Sequence, residues 1–346
     1  MRSGSPDNRS SIKGPAKSCA PFFLFEVGNI PLLVSHFSSM ISQANAKHWG
    51  VILAGGDGTR LRSFTRSLTG DDRPKQFSRS FGHETLLDQT RRRTAQFIPE
   101  SRTLLSLTKT HERFFPGQVD GLLKEHLLIQ PYNHGTGQAI LFAISRLREL
   151  DPNGIVAFLP SDHHFANEKG FADHMGSAFA MAEESPDSVV LLGIEPESPE
   201  TSYGWIEPGA AVEGPAFRVK QFWEKPSSDF AVMLLDRGCL WNSFVMVGHV
   251  GAFLGMFRRT LPSLLASFEA VRGESLSSLY DSTKATNFSS DVLARQTESL
   301  IVMPGKNLGW SDLGEPQRVL SILNQERNTE LVYLPMNAQF ALAQTA

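Results

Sequence analysis

Cysteine is nearly absent. Cys19 and Cys239 are the only two in 346 residues, which leaves no disulfide framework and no cysteine metal knuckle. A reducing compartment is the simplest setting for such a chain. An excess of either charge is also missing. Lys and Arg number 33 against 36 Asp and Glu, a net charge of −3, so no basic surplus points to nucleic acid. No apolar run approaches the roughly 18 residues of a membrane helix. Internal repeats and low-complexity tracts are lacking too, apart from a mild serine bias near the start. What remains is ordinary for a globular protein, 41% apolar and 20% charged residues, in a length that fills one large or two average domains. Such a chain can bury a sizeable core.

Two common phosphate motifs are missing as well. The glycine-rich run LAGGDGTRL at 53–61 contains no Gly-Lys-Ser/Thr, which excludes a P-loop. Gly56 and Gly58 begin a GxGxxG pattern, but Leu61 stands at its third glycine, which excludes the dinucleotide fingerprint. The run itself follows the apolar triplet Val51-Ile52-Leu53 and reads as a strand opening into a loop of bare amides. Glycine lets a ligand approach the main chain, and consecutive N–H groups before a helix start favour a polyphosphate. A plain glycine-rich turn between strand and helix is the alternative. Arg60 and, within DDRPKQF at 71–77, Lys75 supply the cations a polyphosphate needs.

The periodicity alternates strands and helices, which predicts an α/β fold. Strands are expected at 48–53, 101–107, 127–130, 154–159 and 188–194, with helices at 86–97, 137–150 and 171–184. Thr85 is placed to cap the first of these helices, with Leu86, Leu87 and Ala95 facing inward. From Tyr203 the rhythm becomes strand-rich, at 203–207, 217–222 and 243–248 around a helix at 229–237. A helix broken by Pro262 is expected over 253–268, then a strand at 299–303 and a helix at 313–325. The whole reads as a Rossmann-like, mostly parallel sheet with helices on both faces and a smaller β-rich subregion. Ligands of such sheets bind beyond the carboxyl ends of the strands, where Gly55, Asp162 and the 130–138 loop would converge.

Several chemical groups stand out. Asp162 follows an apolar strand, where a carboxylate suits a hard cation or, equally, caps a helix. The Asp162-His163-His164 run matches one element of a manganese phosphoesterase signature, but the other metal motifs of that family are missing. Glu224 and Lys225 read either as a solvated strand end or as a ligand-binding pair. Asn242 reads either as a turn residue or as a partner for a sugar hydroxyl.

Taken together, LAGGDGTRL and the downstream Pro74-Lys75 resemble the signature of the sugar-phosphate nucleotidyltransferases, GGxGxRL with a following PK. The PKQF variant is most similar to the mannose-1-phosphate guanylyltransferases. Five further stretches follow in that family's order: PSDH at 160–163, TSYGWIE at 201–207, FWEKP at 222–226, LWNS at 240–243 and WSDLG at 310–314. The resemblance covers about residues 48–320.

It implies transfer of a nucleotidyl group from a nucleoside triphosphate to a sugar 1-phosphate, with Mg²⁺ as cofactor and GTP and mannose 1-phosphate as the expected pair. It also implies roles for individual residues. Arg60, Lys75 and Asp162 would be catalytic, and Asp162 and Asp312 would hold the metal. Leu53, Ala54, Gly55, Gly56, Gly58, Thr59, Gln130, Gly135 and Gly137 would bind the nucleotide. Gly204, Glu224, Lys225 and Asn242 would bind the sugar phosphate, and His163 would support its neighbours rather than ligate.

The chain departs from the family at three places. Thr69-Gly70-Asp71-Asp72 is added between Arg60 and Pro74, where a lid or altered phosphate geometry is expected. YNHGTGQ at 132–138 replaces the usual RNTAPA-like stretch, which leaves the base open. Glu315-Pro316 replaces the usual ending of WSDxGxW. Another triphosphate and sugar pair, or a non-catalytic sensor of nucleotide sugars, are the competing readings. Small-molecule substrates are the expected partners, without nucleic acid or membrane, in a cytoplasmic enzyme for which a homodimer is admissible. Residues 1–47 read as a flexible extension, with Met40 as an alternative start and a secretory leader as the weaker reading. Residues 48–325 read as the nucleotidyltransferase domain and 326–346 as a tail without room for an isomerase-like second domain.

Overall fold

In a computed structural model, residues 47–79, 83–212, 214–270 and 275–327 are described. The expected N-terminal extension, up to residue 46, and the tail beyond 327 lie outside them.

The chain runs β1 (His48–Leu53), a tight turn at Thr59–Leu61, α1 (Arg62–Thr69), a second turn at Lys75–Phe77, α2 (Leu86–Thr94), β2 (Thr103–Thr108), β3 (Leu127–Gln130), α3 (Thr136–Leu150) and β4 (Ile155–Pro160). Then come β5 (His164–Phe165), α4 (Glu168–Glu184), β6 (Val189–Ile194), β7 (Gly204–Ala211), β8 (Phe217–Glu224), α5 (Ser228–Asp236) and β9 (Leu240–His249). The remainder is α6 (Val250–Thr260), α7 (Pro262–Ala270), α8 (Leu276–Ser282), α9 (Phe288–Asp291), β10 (Leu300–Gly305), β11 (Trp310–Ser311) and α10 (Pro316–Arg327).

Nine strands form one sheet in the order β3-β2-β1-β4-β9-β6-β10-β8-β7, and β5 pairs with β11 apart from it. The expected parallel sheet is found from β3 to β4 and between β6 and β10. β9 enters antiparallel between β4 and β6, and β8 and β7 follow antiparallel at the far edge, so the sheet as a whole is mixed. The strand-rich part therefore extends the main sheet. Side chains alternate across the pleat. On β1, Ile52 belongs to the buried cluster that includes Phe171, Met175 and Phe179 of α4, whereas Trp49 and Val51 belong to the one that includes Ile140, Ile144 and Leu147 of α3. Both faces are thus covered by helices, as the sequence predicts.

The boundaries shift where local chemistry decides them. Thr85 does cap α2, in a reciprocal box with Asp88, and Leu86 and Leu87 are buried. The helix ends at Thr94, however, so Ala95 is exposed rather than inward. Pro262 splits the expected 253–268 helix into α6 and α7, because its ring cannot continue the hydrogen-bond ladder. The last helix begins at Pro316, not Leu313, since Leu313 has φ of 48°, outside helical space. α1 has no counterpart among the expected helices. It closes at Gly70, whose φ of 79° suits the left-handed position after a helix. The 69–72 insertion thus contains the end of this helix and its left-handed cap. Asp71 takes both the Nε and Nη2 hydrogens of Arg73 at 2.7 Å, and Arg73 holds its carboxyl down to a pKa of about 2.

Candidate active site

β1 ends in the glycine loop at the carboxyl edge of the parallel strands. The loop carbonyls are tied into the protein. Gln76 Nε2 donates to Ala54 O and Gly56 O, both at 2.9 Å, and Thr108 Oγ1 donates to Gly55 O at 2.9 Å. A side chain at Gly55 would meet Thr108 Oγ1 at 2.7 Å, and Gly58 has φ of 58° with Lys75 N behind it. The amides of Gly55 through Thr59 have no backbone acceptor among the described residues. Such a run of bare N–H groups is a ready anion nest.

A cavity of about 530 Å³ opens over this loop, within the range of small-molecule sites. Of the residues singled out in the sequence, Leu53, Gly55, Gly56, Gly58, Gln130, Gly135 and Asp162 lie on its wall. Ser106, Asn133, Phe244, Thr286 and Asn287 also line it, and sequence reasoning missed their part. Ala54 is buried behind the wall. Thr59 and Arg60 are exposed beside it, and Arg60 has no partner among the described residues.

One wall is stitched from distant segments. Gly137 N donates to Thr286 O at 3.0 Å, Thr286 Oγ1 donates to Gln138 Oε1 at 2.6 Å, and Phe288 N donates to Thr136 Oγ1 at 2.8 Å. The approach is so close that a Cβ at Gly135 would stand 2.2 Å from Thr286 O, and one at Gly137 2.1 Å from Thr286 Oγ1. Gln130 is pinned at both ends of its amide. It donates to Ser106 Oγ at 3.1 Å and accepts from Tyr280 Oη at 3.1 Å.

Lys75 joins the two acidic motifs. Its Nζ lies 3.0 Å from Asp162 Oδ2 and donates to the carbonyls of Asp312 at 2.7 Å and Leu313 at 3.3 Å. All three ammonium hydrogens therefore have acceptors. On Asp312, Oδ1 takes three donors: Tyr203 Oη at 2.7 Å, Gly314 N at 2.9 Å and Arg318 Nη1 at 2.6 Å. Oδ2 takes none of them. Burial pushes the Asp312 carboxyl up, but Lys75 and Arg318 outweigh it and hold it below the usual range. Asp162 and Asp312 thus each supply a carboxylate near Lys75, whose direct contact is with the Asp162 carboxylate and with the backbone carbonyl of Asp312. That set fits a Mg²⁺ that takes its other ligands from substrate phosphates and water. Among the described residues no group of three or more His, Cys, Asp or Glu gathers into a protein-only cage.

The Asp162 loop is held from below by α2. Thr90 Oγ1 donates to Ser161 O at 3.2 Å and Arg93 Nη2 to His163 O at 3.0 Å. Arg93 is 3% exposed, and its guanidinium lies 5.0 Å from the Phe165 ring centroid and 5.7 Å from that of Phe171. His163 Nδ1 accepts from Trp310 Nε1 at 3.2 Å, and burial lowers the His163 pKa to about 4. The ring is therefore neutral near pH 7 and supports the loop.

Gly204, Glu224 and Asn242 form a second cluster. A Cβ on Gly204 would lie 3.0 Å from Glu224 Oε2 and 3.3 Å from Asn242 Cβ. Asn242 sits on β9, not in a turn, where the pairing with β6 shifts register and Phe244 takes φ of 59°. Lys225 also has a positive φ, 50°, and its Nζ is 3.6 Å from Glu224 Oε1. Burial pushes the Glu224 carboxyl up, against the pull of Lys225 and of hydrogen bonds from Ser289 and Asn287. Asn287 also lines the main cavity, so it joins the two clusters.

The nucleotidyl transferase family model matches residues 49–329. Mannose-1-phosphate guanylyltransferase ManC of Salmonella typhimurium is 32% identical over 285 residues, 78% of this chain and 58% of the relative. Xanthan biosynthesis protein XanB of Xanthomonas campestris is 27% identical over 80% of this chain and 59% of its own. The chain thus spans under two thirds of the length of these relatives. The crystal structure of mannose-1-phosphate geranyltransferase from Thermus thermophilus is 31% identical, with a TM-score of 0.70 over 80% of this chain and 79% of that one. UDP-glucose pyrophosphorylase complexed with UDP-glucose, 15% identical with a TM-score of 0.53, shares the fold.

Proposed function

The chain belongs to the nucleotidyl transferase family, and from that premise we propose that it transfers a guanylyl group from GTP to mannose 1-phosphate, forming GDP-mannose and releasing pyrophosphate. The observation that carries this reading is the meeting of Lys75, Asp162 and the bare-amide loop at a cavity joined through Asn287 to Glu224. The names of the relatives support the choice of guanine and mannose.

The chemistry asks little covalent work of the protein. A sugar-phosphate oxygen attacks the α-phosphorus and pyrophosphate leaves. The attacking group is already an anion, so no general base is needed. The protein must hold two highly charged reactants in line and offset the developing charge. The amides of Gly55 to Thr59 receive the triphosphate, and Arg60, exposed at the rim, meets the departing pyrophosphate. Lys75 gives up one acceptor to hold the reacting phosphate. Gly204 leaves room for the hexose, whose hydroxyls bond Glu224 and Asn242, while Lys225 meets its phosphate. Mg²⁺ held by Asp162 and Asp312 would supply charge neutralisation to the phosphates.

A matrix of four nucleoside triphosphates against several sugar 1-phosphates, read by product mass, tests the assignment. GDP-mannose should dominate. Product from UTP or dTTP alone would remove guanine and keep the reaction, and no product from any pair would remove the reaction itself.

A further inference from the structure

We propose that Asp57 is a positioning residue for triphosphate binding, whose carboxylate ties the glycine loop to the start of helix α3. The proposal rests on reading the cavity as a nucleoside triphosphate site. Asp57 lies between Gly56 and Gly58, within the amides left bare for phosphate. A carboxylate free to face the ligand there would repel it. In the structure both oxygens are taken by other segments. Oδ1 is 3.1 Å from His111 Nε2, and Oδ2 accepts from Asn133 Nδ2 at 2.9 Å.

The partners are fixed in turn. Asn133 Oδ1 accepts from Gly135 N at 3.2 Å, so its amide must present nitrogen to Asp57. Gly135 is the residue on which α3 opens. His111 is 6% exposed, and its Nδ1 is buried without a partner. An N–H at that atom would be a costly orphan, so the single imidazole proton belongs on Nε2, where it serves Asp57. Burial holds His111 below its ordinary pKa against the pull of Asp57, which keeps it a neutral donor near pH 7. The ring also meets Phe77 of the PKQF turn edge-on, with centroids 6.1 Å apart. The Asp57 side chain is 37% exposed, so burial alone does not dictate these contacts. They run in one line from the Lys75 turn, through the phosphate loop, to the loop that walls the cavity.

Direct titration of GTP, without sugar phosphate, into the full chain tests this. Wild type, Asp57→Ala, Asp57→Asn, His111→Leu and the Asp57→Ala/His111→Leu pair are compared, with thermal midpoints taken alongside. His111 does not line the cavity, and leucine at 111 keeps an apolar side chain against Phe77, so the hydrogen bond it removes is the one to Asp57. Each single change should weaken GTP several-fold, and the pair should weaken it no further than Asp57→Ala alone, because both cut one link. Asp57→Asn keeps the shape but turns one donor against Asn133, so it should weaken binding less than Asp57→Ala. Equal or tighter GTP binding by both Asp57 variants would overturn the proposal, since the carboxylate would then only repel phosphate. Independent, multiplying losses would also overturn it. A wild-type chain that binds no triphosphate would remove the reading of the cavity itself, an outcome separate from the other two.

Discussion

Lys75 Nζ stands 3.0 Å from Asp162 Oδ2 and donates to the backbone of the other acidic motif at Asp312. Each residue is an expensive ion to leave unpaired. Lys75→Met should therefore lower kcat about 10²–10³-fold, the scale seen when one charge-stabilising donor is lost. Steady-state kinetics with a thermal midpoint separates this loss from misfolding.

Gln76 is 2% exposed and holds two loop carbonyls. In Gln76→Ala both acceptors lose their donor, at a cost of about 1–3 kcal/mol for a buried unsatisfied group. The GTP KM should rise while kcat changes less, because the loop rather than the reacting centre is disturbed. Chemical denaturation and initial rates check the two halves.

Gly135 and Gly137 face Thr286 through different atoms. In Gly137→Ala the new Cβ meets the Thr286 hydroxyl, so overpacking should cost about 1–3 kcal/mol and Thr286→Ala should partly restore nucleotide binding. In Gly135→Ala the clash is with the Thr286 carbonyl and φ is 93°, so the same second change should restore nothing. Binding titrations on the four variants decide it.

His163 and His164 both have pKa values lowered to about 4, chiefly by burial. The unfolded chain therefore binds more protons between about pH 6.5 and 4. Stability should fall as pH drops through this window, by up to about 1.4 kcal/mol per pH unit for each histidine. Between pH 7 and 5, replacing both by glutamine should flatten the slope of thermal midpoint against pH.

Much of this was readable from residues because the informative features are local. Strand and helix periodicity located the parallel half, Thr85 capped its helix, and the order of six short motifs gave the family. Long-range closure was not readable. Nothing in the sequence says that 283–288 wraps the 134–138 loop, or that Arg93 on α2 carries the backbone of His163. The antiparallel entry of β9 depends on which edge was left open by strands about 50 or more residues away. Gln76 was visible in PKQF, but its part depends on a loop carbonyl direction that only the fold defines.

Nucleotidyl transfer at the cavity lined by Asp162, with Lys75 beside that carboxylate, is the step on which every residue role above depends. GTP labelled at the α-phosphorus is incubated with mannose 1-phosphate and Mg²⁺, and wild type is compared with Asp162→Asn. Label should enter GDP-mannose with the wild-type chain, at a rate about 10²-fold or more lower with the variant. Label that never enters a sugar product, or a variant that transfers it at the wild-type rate, would contradict it.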